Sequence, residues 1–154
     1  MSSAQKFANP GPFMVTVKRV YEKPSHADGQ RVLVDRLWPR GLSKDEAGVD
    51  HWLKDLAPSD ALRKWYHASD NWVVFKKRYF KELYSPEASA ALEALYALLN
   101  QHAHITLLYS SRNVERNNAV ALKELIDGVR KPPASSGPAR AAAVPGRASK
   151  RRPS

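Results

Sequence analysis

The chain has 154 residues, 43% hydrophobic and 26% charged, enough for one globular domain with some tail and too little for two independent cores. It contains no cysteine, which excludes disulfide scaffolds, thiolate metal sites and cysteine nucleophiles, and no apolar run approaches the ~18 residues of a membrane span. The net charge of +10 is uneven: residues 131–154 hold six basic residues and no acid, residues 1–12 add only Lys6, and residues 13–130 carry 18 basic against 15 acidic residues, or +3.

The start MSSAQKFANPGPF lacks the basic-then-apolar layout of a secretory signal, so the cytoplasm is the expected location. Residues 1–12, with Pro10, Gly11 and Pro12, read as a flexible lead-in. Phe13–Val20 is β-branched with partial alternation, and Arg31–Val34 is a short apolar run after the turn signal Asp28-Gly29; both are expected strands. Ser43 and Glu46 have capping-box spacing, which predicts a helical turn over Lys44–Ala47. The segment VDHWLKDL fits strand and helix templates alike.

Three helices are expected next. Ser59 caps one to about Tyr66, and Asp70 or Ser69 caps a second with Trp72, Phe75, Tyr79 and Leu83 on one face. Ser85, Pro86 and Glu87 open the third, which ends near His102 with Leu92, Leu95, Tyr96 and Leu99 inward. Ile105–Tyr109 is a continuous apolar run, as expected for a strand covered on both faces. A last helix, capped by Asn113, runs to about Val129. The Pro-, Ala-, Ser- and Arg-rich residues 131–154 read as a disordered basic tail.

Strands alternating with helices imply a single layered α/β domain over residues 13–130, with a small, largely parallel sheet covered by helices. Ligands of open α/β sheets bind beyond the carboxyl ends of the strands, and two strands here run into arginine-bearing loops. The first loop is Asp35-Arg36-Leu37-Trp38-Pro39-Arg40-Gly41, the second Ser110-Ser111-Arg112-Asn113. If the strands are neighbours, Arg36, Trp38, Arg40, Ser110, Ser111, Arg112 and Asn113 form a candidate site for a phosphorylated or otherwise anionic ligand, since guanidinium forks and free helix-start amides both suit oxyanions. The bland reading pairs Asp35 with Arg36 or Arg112 to fix the loops and lets the serines and Asn113 cap a helix.

The stretches RVLVDRLWPRG, LRKWY, FKKRYFKEL and LLYSSRNVERNNAVAL together resemble the YeaO-like branch of the family known as domain of unknown function four-eight-eight, over about residues 14–127. The resemblance implies a compact α/β domain with no established biochemical activity. It matches Asp35, Arg36, Trp38, Pro39, Arg40 and Gly41 to the family's first motif, and Leu107, Leu108, Tyr109 and Asn117 to its second. Arg116 stands where such a block often has His, and the Cys-His-Arg element of longer relatives has no counterpart in a chain without cysteine.

Asp35 is a weak candidate general base, and its neighbour Arg36 favours a structural or metal-facing carboxylate. The histidines show no metal-ligand spacing, so neither metal nor cofactor is expected, and His102-Ala-His104 reads as a solvated turn. The aromatics between Trp65 and Phe80, interleaved with Lys76, Lys77, Arg78 and Lys81, read as a core face backed by a solvated cationic face. Two rival functions remain: a nucleic-acid-binding accessory or regulatory protein that acts through the basic tail and the Lys76–Lys81 face, and a protein-interaction domain that uses the DRLWPRG loop.

Overall fold

The computed structural model describes residues 14–130; the expected lead-in, Phe13 and the basic tail lie outside the described residues. The chain divides into two units, Met1–Lys123 and Glu124–Ser154. The sheet and its strand-end loops belong to the first; of the second only the end of the last helix, residues 124–130, is described.

Four strands, β1 (Met14–Arg19), β2 (Gln30–Leu33), β3 (His51–Trp52) and β4 (His104–Tyr109), form one sheet in the order β1-β4-β2-β3, with every pairing parallel. The two runs expected to be neighbours are adjacent, Gln30 opposite Ile105 and Leu33 opposite Leu108. Ile105, Leu107, Leu108, Val32 and Leu33 are fully buried, which is why both strands read as mainly apolar runs covered on both faces. The helices are α1 (Lys44–Ala47), α2 (Asp60–Ser69), α3 (Trp72–Glu82), α4 (Pro86–Gln101) and α5 (Asn118–Arg130). Among the described residues no helix is long and apolar enough to cross a membrane.

The ambiguous segment VDHWLKDL is both things in succession: the two-residue strand β3 and a single 3-10 turn, Lys54–Leu56, against which α4 packs. Trp52 thus joins the sheet edge while Leu56 drops into the core.

Register and pleat place Leu33, Leu108, Thr106, Arg31, Thr16 and Lys18 on one face of the sheet. Its carboxyl-end half is apolar: Val20, Leu33, Ala47 and Leu108 cluster there under Trp38, Leu42, Val49 and Trp52. The other half is polar and closed by a salt-bridged network. Asp28, 7% exposed, accepts from Arg31 at 2.7 Å and from Lys18 at 3.0 Å, and Arg31 also donates to the carbonyls of Ala47 and Gly48. Thr106 donates to the carbonyl of Asp28 and bonds Thr16, which bonds His104. His104, expected in a solvated turn, is therefore the first residue of β4 and part of this network. Gly29 leaves the network with φ +65°, and a Cβ there would sit 2.3 Å from the His104 carbonyl oxygen, so the approach of this turn to β4 requires glycine.

Most helix starts follow the expected caps. Ser43 and Glu46 form the box at α1, Ser59 caps α2 and Ser85 caps α4, with Pro86 in its first turn; each such cap contributes about 1 kcal/mol. Two caps differ. Asp70 adopts the left-handed conformation (φ 55°) that ends α2, so Asn71, neither Asp70 nor Ser69, caps α3 through Val74 N–H. At α5 the cap is Asn117, whose side-chain oxygen accepts from Val120 N–H, while Asn113 closes a preceding turn by accepting from Glu115 and Arg116. On α3, Phe75 and Tyr79 are buried and Lys77, Arg78 and Lys81 exposed. Arg78 lies 4.2 Å over the Trp65 ring, tying α3 to α2 through a cation–π contact.

Candidate functional site

The carboxyl ends of β1, β4 and β2 open into a cleft of about 1150 Å³. All seven residues singled out for the two loops line it: Arg36, Trp38, Arg40, Ser110, Ser111, Arg112 and Asn113. So do Arg19, Arg63, Arg116 and Tyr66, which the local sequence pattern does not single out. The lining holds six arginines against three aspartates, an excess of positive charge at the sheet edge where α/β ligands bind.

Asp35 holds the two strand-end loops together. One carboxylate oxygen accepts from Ser110 N–H (2.8 Å) and Ser110 Oγ (2.7 Å), the other from Asn118 Nδ2 (3.2 Å). Asn118 donates as well to the Val34 carbonyl, and the indole N–H of Trp52 donates to the Asp35 carbonyl. Asp35 forms no ion pair with Arg36 or Arg112, which corrects the expected pairing. Arg36 turns instead to the carbonyls of Ala57 and Pro58 at 3.3 and 3.4 Å. With three donors on its carboxylate, Asp35 braces the two loops.

The other loop residues divide into braced and open. Trp38 donates its indole N–H to the Leu42 carbonyl at 2.8 Å and packs edge-on against Trp52, ring centres 5.4 Å apart. Ser111 Oγ accepts from Asn113 N–H. The backbone of Arg40 is fixed by Tyr21 OH, which donates to its carbonyl. By contrast, among the described residues the guanidiniums of Arg40 and Arg112 have no hydrogen-bond or ion-pair partner, and both residues are exposed. Arg19, at the end of β1, donates to the carbonyls of Ser110 and Ser111 and lies 4.9 Å over the Tyr21 ring. A signal for Arg19 was present in the sequence: the segment KRVY ends the first strand as the arginine-bearing loops end the other two.

The far wall of the cleft is contributed by α2 and α3. Tyr66 packs at a tilt against Phe75, ring centres 4.6 Å apart, and among the described residues its hydroxyl is a buried polar atom without a hydrogen-bond partner. Burial and then the Asp70 carboxylate push this phenol up, against a smaller opposing pull from Arg116. Among the described residues no three His, Cys, Asp or Glu side chains are grouped to hold a metal ion.

A family model described as the inactive DUF488-N3 subclade matches residues 14–139. The chain belongs to that family. Relatives include an uncharacterized protein of Mycobacterium tuberculosis H37Rv, Rv3073c, 44% identical over 115 residues that span 74% of this chain and 94% of the relative. YeaO of Escherichia coli K12 is 38% identical over 111 residues, 71% of this chain and 94% of the relative. No solved structure gives a significant match. This DUF488-N3 chain places both motifs of the family resemblance at one cleft. Asp35, Arg36, Trp38, Arg40 and Asn117 line it, Leu107 and Leu108 are fully buried in β4, and Arg116 lines it as an exposed cation.

Proposed function

We propose that this protein is a cytoplasmic binding module for a small phosphorylated or otherwise anionic ligand, held at the strand-end cleft by Arg36, Arg40, Arg112 and the Ser110–Asn113 loop and not turned over. The observation that carries this reading is the pair of open guanidiniums, Arg40 and Arg112, brought to one cleft by two different loops. Guanidinium held at a concave, cationic rim selects oxyanions through paired N–H donors. The description of the family as inactive and the engagement of Asp35 by Ser110 and Asn118 favour binding without catalysis.

Thermal-shift titration of the full chain with phosphate, nucleoside monophosphates and short oligonucleotides tests it. A ligand at one hundred times its dissociation constant adds about 2.7 kcal/mol of stability. The shift is expected to vanish in Arg40→Ala and in Arg112→Ala with the unliganded melting temperature unchanged; binding that persists in both variants rejects the site.

The charge of residues 131–154 supports a second reading, non-specific polyanion binding. Oligonucleotide affinity that falls steeply with salt and disappears on deletion of residues 131–154, while Arg40→Ala has no effect, would favour it.

A further inference from the structure

Ser110 and Ser111 break the alternation of the strand they follow. Along β4 the Leu108 carbonyl accepts from Val34 N–H on the β2 side at 3.1 Å, and the Tyr109 carbonyl accepts from Val20 N–H on the β1 side at 2.8 Å. A continued strand would return the Ser110 carbonyl towards β2. Instead Arg19 takes it through Nη2 at 2.9 Å and takes the Ser111 carbonyl through Nε, also at 2.9 Å. Two donors on one edge of a rigid guanidinium hold these successive carbonyls side by side. Among the described residues no peptide bond is cis, and a trans peptide aims its N–H opposite its C=O. The N–H groups of Ser111 and Arg112 therefore point together, away from Arg19. Neither has an acceptor among the described residues, whereas Ser110 N–H is held by Asp35. Successive N–H groups aimed the same way form an anion-binding concavity, and both residues line the cleft.

We propose that these two amides seat the phosphate of a phosphate monoester and that Arg19 is the positioning residue that aims them; this rests on the anion-binding reading above. The amides belong to the β4 loop and the Arg40 guanidinium to the β2 loop, and all three residues line the same cleft, so donors from two loops are available to one ligand. That arrangement suits a tetrahedral group with three terminal oxygens better than a planar carboxylate, whose lone pairs lie in one plane. A cleft of about 1150 Å³ exceeds the ~300–1,000 Å³ of pockets that enclose whole organic ligands, so an esterified body has room beside the phosphate, towards Tyr66. The neighbouring Asp35 does not close the seat, because its carboxylate is engaged by Ser110 and Asn118 and the lining carries an excess of arginine.

The test is amide NMR of the full-length chain titrated with ribose 5-phosphate, ribose, inorganic phosphate and acetate, repeated in Arg19→Lys and Arg40→Ala. Ribose 5-phosphate is expected to shift the Ser111 and Arg112 amides downfield, ribose to leave them in place and acetate to bind at least tenfold more weakly. Arg19→Lys keeps the charge but loses the two-pronged edge, so affinity for ribose 5-phosphate should fall tenfold or more. Binding that leaves both amides unmoved, or wild-type affinity in Arg19→Lys, overturns the seat while the cleft reading stands. Acetate binding as tightly as ribose 5-phosphate overturns the monoester assignment, and no binding of any of the three anions overturns the cleft reading itself. The wild-type amide shifts decide the matter if Arg19→Lys does not fold.

Discussion

One carboxylate oxygen of Asp35 accepts both the backbone N–H and the hydroxyl of Ser110, at 2.8 and 2.7 Å, across 75 residues of sequence. The contact joins the ends of the two central strands and sets the spacing of the loops on either side of the cleft. Asp35→Ala strands the Ser110 and Asn118 donors, and urea unfolding should show a loss of about 1–3 kcal/mol. Ser110→Ala removes one donor and should lose about 1 kcal/mol. The double variant should be less destabilised than the sum, because the partners share one contact; strict additivity would show that the contact contributes nothing.

Asp28 predicts an acid limb in the stability profile. Burial pushes its carboxyl up, but the hydrogen bonds from Lys18, Arg31 and Ser25 N–H outweigh it and hold the group below its ordinary value of 3.8. A carboxyl depressed in the folded state contributes its full stability above the unfolded value, and that contribution is lost as pH falls through the folded value. Stability measured from pH 6 downward should therefore decline below about pH 4, and Asp28→Asn should flatten that decline. The same variant should be less stable at pH 7 by on the order of 3 kcal/mol, because Arg31, 3% exposed, loses its counter-charge.

Two tyrosines on the same helical layer should respond oppositely to loss of the hydroxyl. Tyr79 is fully buried and donates to the Leu56 carbonyl; burial raises its phenol, and the Asp35 and Glu82 carboxylates add to the rise. Tyr79→Phe leaves that carbonyl unpartnered and should cost about 1–2 kcal/mol. The Tyr66 hydroxyl has no hydrogen-bond partner among the described residues, so Tyr66→Phe should leave the melting temperature unchanged or raise it. A melting temperature lowered in Tyr66→Phe would mean that a tightly held water or ligand occupies that position.

Gly29→Ala tests the turn that carries Asp28 over β4. A Cβ 2.3 Å from the His104 carbonyl oxygen forces β4 or the turn to shift, and φ +65° adds backbone strain. A destabilisation of at least about 2 kcal/mol is expected by denaturant titration. Gly41→Ala is the control, since a Cβ there meets nothing within 4 Å, leaving only the strain of φ +79°.

The strands and helices were legible because their signals are local. RVLV and ITLLY read as covered strands from apolar continuity alone, and Ser43, Ser59 and Ser85 marked helix starts by position. The misplaced caps lay where candidates crowd together. Ser69, Asp70 and Asn71 all suit a cap, and the left-handed turn at Asp70, set where α2 ends and α3 begins, passes the role to Asn71. The same crowding hid Asn117 behind Asn113.

The sequence by itself determined that two arginine-bearing loops follow two buried parallel strands, because side-chain burial and chain direction are written in local pattern. Only the tertiary structure decided what those loops do to each other. Sheet register brings Ser110 to Asp35 and leaves Arg36 to bind the Ala57 and Pro58 carbonyls. The order β1-β4-β2 sets Arg19 beside the β4 loop, and α2 supplies Tyr66 and Arg63 to the opposite wall. Pairing across a sheet depends on which strands are neighbours, a property of the whole chain that no local window of residues contains.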